Sequence, residues 1–220
     1  MSETSDPPVP PKAIEGGERI QWLPLHVTAS LVGGYRWIEQ RLFELVGQWA
    51  AEATRPELRV HLDAQAARHA WHASLWADRL PVRDGVSGDE LTVAPPVAAR
   101  SLGALEGAGP DTVSAVAGLY RVVLPRLVTG YGCHLAAAAP VCDGPVIRAL
   151  RLVLADEVED WHAGERLVQG LLTGPDDVGR AAAVVTDVEL AVIGTRASGG
   201  TRASGGTRAS GGLTGWPPRP

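Results

Sequence analysis

Residues 24–80 read PLHVTASLVGGYRWIEQRLFELVGQWAAEATRPELRVHLDAQAARHAWHASLWADRL, and the fold turns on them. Thr28, Val32, Tyr35, Glu39, Leu42, Val46 and Trp49 recur at alternating steps of four and three. That spacing sets them on one stripe of a helix that faces a partner. Pro24 suits the first turn, where a missing N–H costs nothing, and the helix is predicted to run to about Thr54. Gly33 and Gly34 weaken it early and mark a close contact or a bend. Pro56 opens a second helix directly after Thr54-Arg55, and so short a turn makes the two antiparallel neighbours. Its stripe is Leu58, Leu62, Gln65, His69, His72 and Trp76, ending near Leu80-Pro81.

Further along, residues 81–110 carry Gly, Pro, Asp and Ser, with a short helix predicted over Ala98–Leu105. A connection of that length in a compact domain normally spans something. The third helix is expected to start at Pro110-Asp111-Thr112, with Val113, Val116, Tyr120, Val123 and Leu127 inside and a kink at Pro125. It continues through Tyr131 and His134 toward Ala136–Ala139. Cys142-Asp143-Gly144-Pro145 forms the next turn. The fourth helix is predicted from Pro145 to Leu172, with Ile147, Leu150, Leu154, Val158, Trp161, Val168 and Leu172 inside. Gly174-Pro175-Asp176 restarts a fifth, shorter helix to about Ile193.

The ends differ in character. Residues 1–19 are polar and proline-rich and are expected to be a disordered arm. Residues 195–220 repeat TRASGG three times before closing on LTGWPPRP, with four arginines and no acid. Such a segment is a flexible spacer or a docking peptide for a protein partner. Between them, residues 20–194 form one helical domain. The 220 residues are 45% hydrophobic, enough to bury a core. A net charge of -5 argues against nucleic acid. No signal peptide and no run of 18 apolar residues is seen, so neither secretion nor a membrane span is expected. Cys133 and Cys142 lack Cys-x-x-Cys spacing and are read as thiols of a reducing cytosol. The predominance of Ala, Gly, Val and Arg, with Lys12 the single lysine, suggests a bacterial, GC-rich genome.

Short turn, long crossover, short turn is the layout of a four-helix bundle with one crossover. In that order, and in the polar residues on its stripes, the chain resembles the ferritin-like superfamily over about residues 20–172. Expected is an all-α, ferritin-like four-helix bundle with a long crossover between helices 2 and 3 and a short fifth helix. Ferritin-like di-iron proteins supply a Glu from each of two helices and Glu-x-x-His from each of the other two. Glu39 matches the first lone Glu. His69-Ala70-Trp71-His72 has His69 where the family has Glu, and Glu159-Asp160-Trp161-His162 matches Glu-x-x-His as it stands. The third helix has no acid between Asp111 and Asp143, and Tyr120 lies nearest the expected level.

The candidate metal ligands are therefore Glu39, His69, His72, Glu159 and His162, with iron or manganese as the cofactor and zinc as a chemical fit. Helical geometry points Glu159 away from the apolar face, so whether Glu157, Glu159 or Glu165 completes the cluster stays open. Folding the first hairpin back sets Glu39 level with His72, and buried polar groups there must bond each other or something else. Three functions fit: a metal-dependent oxidase or oxygenase; a non-catalytic bundle that binds a protein partner; a small-molecule binder with the crossover as lid. A homodimer is expected, because the seven tryptophans leave apolar surface. No phosphate-binding glycine loop, Gly-x-Ser-x-Gly elbow or Cys-x-x-Cys is present to support a kinase, hydrolase or redox-disulfide reading.

Overall fold

A computed structural model describes residues 23–82, 84–107 and 111–194. The expected arm (1–19) and the repeat tail with its docking peptide (195–220) lie outside the described residues. Within them every regular element is helical and no strand occurs. The all-α expectation holds.

Helix α1 (Leu25–Glu52) and α2 (Pro56–Ala77) form an antiparallel hairpin about the turn at Ala53–Arg55. Six of the seven stripe residues of α1 are buried, and all six of α2 are. Two short helices, α3 (Gly88–Leu91) and α4 (Pro96–Gly107), interrupt the crossover. The third long helix starts as α5 (Thr112–Gly118), widens into a π turn (Leu119–Val123) and continues as α6 (Leu124–Ala137). Asp111 caps it, accepting from the Ser114 N–H at 3.0 Å. Helix α7 (Gly144–Leu171) returns beside α6, and α8 (Pro175–Ile193) packs on α4 and α5.

Cross-helix contacts fix the directions. Arg55 reaches the Gly170 carbonyl while Arg68 reaches Asp160, so α2 and α7 are antiparallel. Tyr120 meets Gln65 at the middle of α2, and Tyr131, eleven residues on, stacks on Trp76 near its end. Helix α2 and the third helix therefore run the same way, so the end of α2 and the start of α5 lie at opposite ends of the bundle.

The crossover lies directly on Gly33 and Gly34. A β-carbon at Gly33 would sit 1.9 Å from the Leu91 carbonyl oxygen, and one at Gly34 would sit 2.9 Å from Cγ of Pro95. Arg36, next along α1, clasps the same segment through Thr92 (2.9 Å) and Asp89 (3.0 Å). The glycine pair marks a close contact, not a bend.

The structure corrects two expectations. Pro125 does not simply kink its helix. Its ring would press on the Arg121 carbonyl, and the wider turn just before it makes room, with Leu124 N–H bonding the Leu119 carbonyl. In α7 the interior side is Val153, Glu157, Asp160, Gly164 and Val168, while Leu154, Val158, Trp161 and Leu172 are half-buried on the flanks. Polar partners on α2 turn Glu157 and Asp160 inward. Gly164 lets the Tyr120 ring in, since a β-carbon there would lie 2.0 Å from Tyr120 Cε1. Thr112–Ala137 is long and apolar enough to cross a membrane by length and composition. Here 72% of its most apolar window is buried inside the protein.

Gly33→Ala should cost about 1–3 kcal/mol, because the crossover backbone cannot yield as a flexible side chain would. Gly132→Ala, where a β-carbon meets nothing within 4 Å, should instead gain roughly 0.5–1 kcal/mol of helix propensity. Urea denaturation of both variants checks this, and equal midpoints would mean that the crossover does not rest on α1.

Candidate metal centre

The inward polar residues of α1 and α2 interrupt stripes that are otherwise apolar and buried. Glu39 lies between Ile38 and Leu42 on α1, and His69 and His72 stand one turn apart on α2 between Ala66 and Trp76. Glu157 comes from α7. All four have no solvent exposure.

One potential ligand atom from each lies within 4.8 Å of the others. His69 Nδ1–H donates to Glu39 Oε2 at 2.6 Å. Glu157 Oε1 stands 3.3 Å from His69 Nδ1 and 3.2 Å from His72 Nδ1, and Glu39 Oε2 stands 3.6 Å from His72 Nδ1. These approaches are close but poorly aligned. Both Glu157 oxygens, His72 Nδ1 and His69 Nε2 make no hydrogen bond. Buried donors and acceptors in proteins are almost always paired, so a cluster of orphaned ones signals a site.

Two further groups hold the cluster. Tyr131 of α6 donates its hydroxyl proton to Glu39 Oε1. His72 Nε2–H donates to Asp156 Oδ2 at 3.1 Å, which leaves Nδ1 turned toward the two glutamates. A carboxylate behind an imidazole fixes its tautomer and raises its basicity as a ligand. Asp156 is 32% exposed at its side chain and links this layer to solvent.

Electrostatics follow from the pairing. Burial pushes the Glu39 carboxyl up, but the charges and hydrogen bonds of His69 and His72 outweigh it and hold the pKa at about 2. Burial pushes both imidazoles down, and Glu157 with Glu39 reverses this, raising His69 to about 10 and His72 to about 11. The Tyr131 hydroxyl is raised by burial first, then by Glu39 and Glu157. Without a metal, His69 and His72 hold their protons beside an ionised Glu39.

Of the sequence candidates, Glu39, His69 and His72 are brought together. Glu159 and His162 are not: both are exposed on the far side of α7. Glu157 takes their place, two positions before Glu159, because the inner face of α7 is turned from its large apolar residues. Glu165 pairs with Arg121 at 2.9 Å away from the cluster. Tyr120 is not the third-helix residue at this level; its hydroxyl donates to Gln65 Oε1 at 2.7 Å, and Tyr131 contacts Glu39 instead. The π turn adds residues that a count of 3.6 per turn does not register. The spacing of Glu157, Asp160 and Gly164 was the signal for the true face of α7. His26 is exposed, and His134 is buried against Tyr35. Cys133 and Cys142 are free.

No family model, no curated protein and no solved structure matches this chain.

Because the folded imidazoles bind protons more tightly than the ordinary value of 6.5, their pairing contributes fully below that pH and is lost as pH rises toward 10 and 11. Glu39 acts oppositely: its contribution is present above the ordinary 4.5 and is lost as pH falls toward 2. The metal-free protein should therefore be most stable between those ranges and weaken steadily above neutrality. Chemical denaturation of chelator-treated protein across pH measures this. A stability unchanged from neutral to strongly alkaline pH would contradict the charged pairing.

Proposed function

We propose that this protein is a ferritin-like bundle holding one divalent transition metal, iron or manganese, at Glu39, His69, His72 and Glu157, for redox or oxygen chemistry. The observation that carries the reading is the convergence of four fully buried donor side chains, one of them with both oxygens unpartnered. Two imidazoles with two carboxylates suit iron, manganese or zinc.

Charge favours one ion. Two carboxylates, two neutral imidazoles and one divalent cation sum to zero, which lowers the cost of burying the centre. The family's third-helix carboxylate is replaced by Tyr131, which donates to Glu39 rather than ligating. The parallel course of α2 and the third helix, joined by one long crossover, supports the ferritin-like assignment. The metal would supply a Lewis-acid or redox centre. The chain's own groups orient it: Asp156 sets the His72 ring, Tyr131 sets the Glu39 carboxylate, and burial excludes bulk water.

The same burial favours a second reading. Four donors complete a tetrahedron, and a closed shell is the mark of a structural metal. In that reading the centre braces the bundle, and recognition of a protein or small molecule falls to the surface. One cleft of about 390 Å³ lies between the start of α1 and the crossover, lined by Leu25, Ala29, Val82, Leu91 and Val93 among others. It shares no residue with the cluster.

Metal content by mass spectrometry tests the shared premise. Untagged protein from iron- and manganese-supplied cells should carry about one metal per chain, and a His69→Ala/His72→Ala control should carry none. A well-folded wild type free of metal would end the metal reading. If metal is present, oxygen or peroxide consumption above that of the control separates redox from structural use.

A further inference from the structure

Leu25, Val82 and Val93 are large apolar residues left 71%, 102% and 63% exposed, and all three line the cleft of about 390 Å³ between the start of α1 and the crossover. Apolar side chains gathered in water around one concavity mark a surface that something covers. The charge beside the cleft is of one sign in excess. Residues 82–93 carry Asp84, Asp89 and Glu90 against a single arginine. Arg36 of α1 takes Asp89 at 3.0 Å. Glu90 lines the cleft itself, is exposed, and makes no ion pair among the described residues.

Two segments of the chain lie outside the described residues, and their charges are opposite. Residues 1–22 hold four acids and two bases, whereas residues 195–220 hold four arginines and no acid. An acidic cleft selects the second. That segment also leaves the protein near the cleft. The last turn of α8 is tied to α4, since Arg100 Nε donates to the Ala191 carbonyl at 3.1 Å and a β-carbon at Gly194 would lie 3.3 Å from Arg100 Nη2. Arg100 stands seven residues after Val93, a stretch that spans at most about 25 Å. The eighteen residues Thr195–Gly212 can extend to about 60 Å, so the closing LTGWPPRP has length to spare.

We propose that LTGWPPRP, residues 213–220, docks in the cleft of its own molecule, with Trp216 against Leu25, Val82 and Val93 and with Arg219 at Glu90. The inference goes beyond the metal reading and shares no residue with it. Tryptophan and arginine are the side chains that most often anchor an interface. Pro217 and Pro218 restrict the backbone beside the indole before it binds, so less entropy is lost on docking. The tether makes the encounter intramolecular, and an outside ligand for the cleft must displace an occupant that is always at hand.

Fluorescein-labelled LTGWPPRP added to the full chain tests this by anisotropy. It should bind a Trp216→Ala chain at least about tenfold more tightly than wild type, whose own tail holds the cleft. Adding Val93→Asp to Trp216→Ala should abolish binding. Adding Glu90→Arg instead should weaken it roughly fivefold, and a peptide carrying Arg219→Glu should recover the loss. Val93 and Glu90 are exposed, so neither change disturbs the core. Equal binding to wild type and Trp216→Ala, no binding to either, or binding that survives Val93→Asp would each overturn the inference. A labelled peptide of residues 13–22 that binds Trp216→Ala more tightly than LTGWPPRP would give the cleft to the N-terminal segment and overturn it as well. Hydrogen exchange at residues 25–30 should be slower in wild type than in Trp216→Ala at every protein concentration. Protection that disappears on dilution would assign the tail to the cleft of a second copy, against docking within one molecule.

Discussion

Burial of charge at the layer of Glu39, His69, His72 and Glu157 is the constraint around which the rest of this bundle is arranged. Breaking such a buried pairing by removing one partner typically costs about 3–5 kcal/mol, far more than the pairing itself is worth. Each neighbouring helix therefore contributes something that keeps the layer closed and neutral. Helix α1 supplies a carboxylate, α2 two imidazoles, α7 a second carboxylate, and α6 a hydroxyl that donates to the first. A turn to either side the character changes. On one side Tyr35, Trp76 and Tyr131 pack ring against ring at 4.7–5.6 Å. On the other Asp160 and Arg68 repeat the charge pairing at the edge of solvent.

The first hairpin was legible because its information is local. A four-three spacing needs only the chain's own period, and Glu39, His69 and His72 interrupt apolar stripes that are otherwise regular. Helix α7 was less legible for a physical reason. Its large apolar residues, Leu154, Val158 and Trp161, cover the flanks, while the residues that face inward are polar or lack a side chain. Glu157, Asp160 and Gly164 are inward because of what stands opposite them: two imidazoles, a guanidinium and the Tyr120 ring. That information belongs to α2 and the π turn, not to α7. The match of Glu159 and His162 to a metal-ligand tetrapeptide therefore followed the letters while the helix faced elsewhere.

The third helix shows the same limit in another form. Pro125 was visible, and so was a local disturbance, but not its kind. A π turn changes the phase of every residue after it, so Tyr131 reaches Glu39 from a position that a regular helix would not predict. The glycine pair at the start of α1 was likewise visible as an anomaly, with its cause in the distant Leu91 and Pro95.

The course of the crossover divides the molecule into two hairpins, α1–α2 and α6–α7, each closed by a short local turn. Contacts within a hairpin form early because little loop entropy opposes them, whereas docking one hairpin on the other must wait for a long connection to close. The central layer straddles that division: three of its side chains come from the first hairpin and Glu157 with Tyr131 from the second. An ion gripped there would act on assembly as a clasp between two preformed halves, and its affinity would appear in the rate at which they separate rather than in the rate at which either half forms.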